Sequence, residues 1–188
     1  ISLGLVGSEM CIRDSPSGGW LQSSPIIPNL GFCLSNRGQM FWLDENSPAC
    51  IGPKRRPRTT LSPSLALKDG LPYMVFGTPG GDQQDQWSLH LFLRHVHFGL
   101  NLQEAIDAPG FSTAHFPNSF YPRETDIGHL AIERRFPRES IDELIKKGHR
   151  VIIDDDWSLG RMTAASKDNE ILKAAANPRF MQGYAIGR

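Results

Sequence analysis

The chain has 188 residues with 20 Lys and Arg against 20 Asp and Glu, so its formal net charge is zero. That balance excludes a global electrostatic pull toward nucleic acid or anionic lipid, and no apolar run approaches the length of a membrane-spanning helix. Hydrophobic residues at 39% and charged residues at 21% suit a globular chain that buries one moderate core.

Leu5 to Ser15, L-V-G-S-E-M-C-I-R-D-S, resembles the in-frame translation of a transposon-end adapter used in sequencing libraries. Residues 1–15 are therefore expected not to be native protein, and residues 16–188 to form one domain that is a C-terminal fragment of a longer chain. A signal peptide fits poorly, because the apolar run stops at Val6 without a basic start. Outside this segment stand Cys33 and Cys50, which permit a disulfide without indicating one, and whose spacing with the histidines matches no zinc pattern.

Pro16 to Pro28 is rich in Pro, Ser and Gly and reads as loop or edge structure. Gly31-Phe32-Cys33-Leu34 reads as a short buried strand leading into Ser35-Asn36-Arg37-Gly38-Gln39-Met40-Phe41, and Asp44 to Pro53 as a surface loop. The basic run Lys54, Arg55, Arg56 and Arg58 is short, broken by Pro57 and set in a neutral chain, which argues against a nucleic-acid patch. Leu65, Leu67, Tyr73, Val75 and Phe76 suit two half-buried strands joined by Asp69-Gly70, a pair that supplies the positive φ angles of a tight hairpin turn.

The second strand of that hairpin delivers Gly77-Thr78-Pro79-Gly80-Gly81, where adjacent glycines let neighbouring N–H groups point at a bound atom. Asp82 is expected to cap a helix running to His97. A phosphate-cradling loop would follow its last glycine with Lys and Ser or Thr; here Asp82 would repel a phosphate dianion. A transient oxyanion needs only two N–H donors, which Gly80 and Gly81 can supply. The alternative is that the glycine pair merely turns the chain from strand to helix.

Within Gln83–His97, His90, His95 and His97 have no acid at ligand spacing and read as packing or surface residues. Asn101 and Glu104 form a capping box for the next helix, which Pro109 closes. Phe111 to Thr125 lacks periodicity and reads as loop, and His129 to Glu133 as a strand. Pro137 opens a helix through Lys147 that Gly148 ends, and Val151 to Ile153 returns as a strand. Asp154-Asp155-Asp156 lacks the alternation of a calcium loop and reads as a solvated turn. Arg161 to Ser166 and Ile171 to Ala175 make a hairpin around Asp168-Asn169, and Tyr184 to Ile186 a last strand. The elements describe a mixed α/β (α+β) chain with antiparallel pairing.

K-R-R-P-R-T-T-L-S-P-S-L-A-L-K-D-G, G-T-P-G-G-D, N-L-Q-E-A-I-D-A-P and the closing A-N-P-R-F-M-Q-G-Y-A-I-G resemble, in the same order, the small-subunit region of the γ-glutamyltransferase (γ-glutamyltranspeptidase) family of N-terminal-nucleophile hydrolases. The likeness runs from Pro16 to the C-terminus. It implies part of a four-layer αββα sandwich lacking the nucleophile strand. It also implies an enzyme in which autoproteolysis frees an N-terminal Thr that attacks a donor amide and passes the acyl group to water or an amino acceptor.

On this resemblance the oxyanion hole falls on Gly80 and Gly81, and Thr59 and Thr60 stand where paired hydroxyls hold the donor's α-carboxylate. Strand-entry threonines are the alternative reading of that pair. The family's Asn-Asn-Gln/Glu-Met-Asp-Asp-Phe pattern meets Asn36, but Arg37 occupies its Gln/Glu position and Met40 the position of the Asp that holds the γ-glutamyl ammonium. An ammonium would thus lose an anionic partner and meet a cation. Arg37 can instead bind a carboxylate in a fork or remain a surface residue.

The expected partners are the large subunit of the same precursor and a small γ-glutamyl or acyl amide, with no nucleic acid, membrane span, metal or cofactor. The nucleophile Thr is not among the matching residues, so this fragment alone is expected to be inactive. A glutaryl or N-acyl amide acylase, or a catalytically dead binding homologue, are the competing readings. Members of the resembled family are often periplasmic or extracellular, and the sequence leaves the compartment, cytoplasm included, open.

Overall fold

A computed structural model describes residues 24–179 and 183–186; the adapter-like segment 1–15 lies outside them. The chain divides into two compact units, one holding residues up to Leu61 together with Asn118–Glu124, the other Ser62–Pro117 and Thr125 onward.

The larger unit carries two sheets. In the first, β1 (Ser64–Lys68), β2 (Leu71–Gly77), β6 (Thr163–Asp168) and β7 (Ile171–Ala176) pair antiparallel in the order β1-β2-β6-β7. Asp69 and Gly70 take φ of 53° and 79°, the paired left-handed turn that their residue types favour. Ala66 pairs with Met74 and Met74 with Ser166, so these residues share one face. Helices α1 (Gln84–Val96) and α2 (Leu102–Asp107) supply Leu91, Leu102, Ala105 and Ile106 to a core with Met74, Met162, Ala164 and Ala175. Leu65 and Leu67, expected to be half-buried, are exposed instead. The register gives the buried face to Ala66, while a bulge between Ala66 and Leu67 breaks the alternation.

Asp82 is not the cap of α1. It lies inside a 3-10 turn, Gly81–Gln83, and the α-helix starts at Gln84 behind Gln83, which makes no side-chain capping bond. The tighter turn consumes the residues that the sequence assigns to the first helical turn. The second helix starts as expected: Asn101 accepts from the Glu104 N–H at 2.9 Å and Glu104 accepts from the Asn101 N–H at 2.9 Å.

The second sheet orders β3 (Phe111–Ala114), β4 (Asp126–Glu133) and β5 (Arg150–Asp154), with β3 antiparallel and β5 parallel to β4. Between β4 and β5, α3 (Arg138–Lys146) buries Ile141 against Leu130 and Ile132, and Gly148 ends the segment at φ 93°. β3 corrects the loop reading of this stretch. Its four residues are too few to show alternation, and pairing of Phe111 with Ile132 and Ser112 with Ala131 makes the strand. The β6–β7 turn sits one residue later than expected, with Asn169 at φ 53° after Asp168 completes its strand. Tyr184 to Ile186, expected as a last strand, are exposed and form none.

The smaller unit is held by isolated bridges, a 3-10 turn and the side chain of Arg123. Gly31 to Leu34 do not form the expected buried strand: only a single bridge joins Cys33 to Ile26, and Phe32 and Leu34 are exposed. A second bridge links Trp42 and Cys50, and Arg37–Met40 form a 3-10 turn. Arg123 ties these together, donating to the Met40 and Phe41 carbonyls at 3.2 and 2.8 Å and to the Ser119 carbonyl at 2.8 Å, with its guanidinium 4.2 Å over Trp42. The mixed α/β class expected from the sequence holds for the described chain.

Candidate functional site

In the smaller unit, the 3-10 turn brings Arg37 to Thr60 across 23 residues of sequence. Its Nη2 donates to Thr60 Oγ1 at 3.3 Å, and its guanidinium lies 5.1 Å from the centre of the Phe120 ring. Thr60 is 8% exposed and Arg37 half-buried. A cation held beside a hydroxyl on an aromatic wall is suited to a carboxylate, because burial lowers the screening of the charge. Asn36 precedes Arg37 and keeps its Oδ1 buried with no hydrogen-bond partner among the described residues. Thr59 is turned to its own backbone, where its Oγ1 accepts from the Leu61 N–H at 3.1 Å. Met40, where the resembled family carries an acid, is 1% exposed and presents no charge.

The glycine loop belongs to the larger unit. Gly80 has φ of 141° and Gly81 of 62°, both outside the range that residues with a Cβ adopt readily. Neither N–H makes a backbone hydrogen bond among the described residues. Thr78 stiffens the approach to the pair: its Oγ1 accepts from the Arg161 N–H at 3.1 Å and donates to the Pro79 carbonyl at 2.7 Å. Two adjacent N–H groups on a braced, Cβ-free backbone can stabilise one developing negative charge.

Sequence reasoning missed the most heavily bonded group of this unit. Glu133, fully buried at the end of β4, accepts from Arg179 Nε at 2.8 Å and Nη2 at 3.1 Å, from Arg135 at 2.6 Å, and from the N–H groups of Gly110 and Leu159 at 3.0 and 2.9 Å. Burial pushes its carboxyl up, but the hydrogen bonds, led by Arg179, outweigh burial and hold it at about 2. Arg179 also donates to the Ile106 and Ala108 carbonyls. The adjoining cavity holds about 20 Å³, room for roughly one water. The network therefore ties strands to helix ends. Arg179 stands in the A-N-P-R motif, which was legible; nothing in the sequence pointed to Glu133.

The histidines of α1 pack as expected. His90 stacks on Phe111 at 3.8 Å, and burial followed by the Arg94 charge lowers its pKa to about 4. His95 Nε2 lies 2.9 Å from the Tyr73 hydroxyl and His97 is exposed. Cys33 and Cys50 are free thiols. Among the described residues, no group of three or more His, Cys, Asp or Glu is placed to hold a metal, and no helix is long and apolar enough to cross a membrane.

A family model described as Gamma-glutamyltranspeptidase matches residues 17–187. The chain is 32% identical over 168 residues to the glutathione hydrolase-like YwrD proenzyme of Bacillus subtilis (strain 168), covering 88% of this chain and 31% of that protein. To the oxamate amidohydrolase proenzyme of Klebsiella pneumoniae it is 34% identical over 169 residues, covering 88% of this chain and 30% of that protein. Among solved structures, LmbA2991HD superposes with a TM-score of 0.84 at 54% identity, covering 92% of this chain and 31% of that one. The chain thus spans about a third of the length of each of these relatives. With the match running through the glycine loop, the Arg37 turn and the Arg179 motif, the chain belongs to the gamma-glutamyltranspeptidase family.

Proposed function

We propose that the protein to which this chain contributes cleaves the amide of a γ-glutamyl-type acyl donor through an N-terminal Thr acyl-enzyme, delivering the acyl group to water or an amino acceptor. In this reading the Thr lies in another part of the same precursor, the large-subunit portion of that precursor completes the site, and the present chain is inactive by itself. Gly80 and Gly81 donate to the oxyanion of the tetrahedral intermediate. Arg37 and Thr60 hold a carboxylate of the donor, with Thr59 and Asn36 flanking them. The Arg37–Thr60 contact carries the reading, since it joins a cation and a hydroxyl that nothing in the local chain requires to meet.

A second reading of the acyl group is favoured by Met40. A buried, uncharged side chain where the family binds an ammonium suits a glutaryl or other N-acyl amide better than γ-glutamyl. The similarity to an oxamate amidohydrolase supports it, because that relative is named for an amide without an α-ammonium.

The test is to express the full-length gene and assay γ-glutamyl and glutaryl anilides side by side. A preference for glutaryl of tenfold or more supports the second reading, and the opposite preference the first. An upstream region without a Thr at the processing point, together with no turnover of either anilide, overturns both in favour of a binding homologue.

A further inference from the structure

The glycine loop rests on an aromatic floor that its residue types did not announce. A Cβ built on Gly80 would overlap Trp87 Cζ3 and stand 3.1 and 3.2 Å from Cη2 and Cε3, so the Gly80 backbone abuts the Cζ3 edge of the six-membered ring of Trp87. The five-membered ring faces Gly160, where a Cβ would stand 3.4 Å from Cγ. Trp87 itself is tethered: its Nε1 donates to the Phe111 carbonyl of β3 at 3.2 Å. Gly160 precedes Arg161, whose N–H binds Thr78 Oγ1 at 3.1 Å. One indole thus touches both glycine segments and is locked to a strand edge, while the hydroxyl of Thr78 closes the circuit between them.

We infer that Trp87 is a positioning residue for the Gly80–Gly81 donor pair, an assignment that rests on the oxyanion reading of that loop. Its indole sets how far the loop can sink and in which direction the two N–H groups tilt. Donor geometry matters steeply, because a misplaced hydrogen-bond donor loses most of its worth to the transition state while the ground state hardly notices. Trp87 touches neither substrate nor nucleophile in this role. Removing it should lower kcat and leave KM nearly unchanged.

Two substitutions in the full-length enzyme separate the possibilities. Trp87→Phe removes both the Nε1 donor and the ring edge under Gly80. Benzothienylalanine, placed at position 87 by codon suppression, keeps the ring shape and removes only the N–H, which preserves folding should the Phe variant lose it. Hydrogen exchange is read at the two bonded amides that hold the loop, Gln84 N–H on the Gly81 carbonyl and Arg161 N–H on Thr78 Oγ1, and on the body of α1, and kcat is normalised to titrated active sites.

The expected result is exchange at least tenfold faster at these two loop-holding amides with the body of α1 unchanged, and kcat per active site lower by roughly ten- to a hundredfold. Unchanged loop exchange in both variants overturns the assignment of Trp87. Faster loop exchange with unchanged kcat upholds the floor but overturns the oxyanion reading on which its catalytic meaning depends. A fall only in the number of active sites, with kcat per site and loop exchange unchanged, reduces Trp87 to a packing residue.

Discussion

Replacing Glu133 by Gln alters one atom and disturbs five hydrogen bonds. The wild-type carboxylate accepts from two arginines and two backbone N–H groups while fully buried. The amide would turn an NH2 group toward donors and leave the Arg179 cation, 3% exposed, without its counter-charge. Breaking a buried pair from one side costs about 3–5 kcal/mol. The pKa gives an independent figure: lowering the carboxyl from 4.5 to about 2 corresponds to about 3 kcal/mol of folding stability. Because the folded pKa is depressed, this contribution is complete above pH 4.5 and lost as pH falls through about 2.

Urea denaturation of the wild type and Glu133→Gln, at pH 7 and again near pH 2, tests both figures. The difference should be about 3 kcal/mol or more at neutral pH and should shrink strongly at the acid end. His90, held at about 4, also loses stability as pH falls from 6.5, but it titrates in both proteins and cancels in the difference. A Glu133→Gln/Arg179→Met double variant should recover part of the loss, since it removes the buried Arg179 cation and leaves uncompensated only Arg135, whose side chain is partly exposed. A difference below about 1 kcal/mol at pH 7, or one that does not change with pH, would refute the reasoning.

Other expectations follow from single contacts. Asn101→Ala should lower stability by about 1 kcal/mol, read as a shift in the urea midpoint, because it removes the side-chain oxygen that accepts from the Glu104 N–H. Met74→Ala removes a side chain that is 1% exposed at the centre of the larger core and should cost about 2–5 kcal/mol by the same measurement. In the full-length enzyme, Arg37→Lys should raise KM for a carboxylate-bearing donor by roughly tenfold or more, because an ammonium does not reproduce the guanidinium fork. Equal KM values for the two proteins would remove Arg37 from the pocket.

The elements legible in the sequence are those whose causes are local. Asp69-Gly70 accepts positive φ wherever it occurs, Asn101 and Glu104 satisfy each other across three residues, and Pro137 and Gly148 bracket α3 by their own backbone limits. The glycine loop was visible for the same reason, since only glycine tolerates the angles found at Gly80. Where a partner distant in sequence decides, the local pattern was silent or misleading. β3 exists because β4 pairs with it, and Ala66 rather than Leu65 or Leu67 packs, partly buried, against the core because register, not hydrophobicity, selects the face beneath the helices.

The meeting of Arg37 with Thr60 across 23 residues, of Glu133 with Arg179 across 46 and of Trp87 with Gly80 belongs to the tertiary structure alone. The sequence determined which residues could bend, cap, donate or carry charge. The packed chain decided which of them meet, because a hydrogen bond or an aromatic floor acts only over a few ångströms and those distances are set by elements that the intervening sequence does not encode locally.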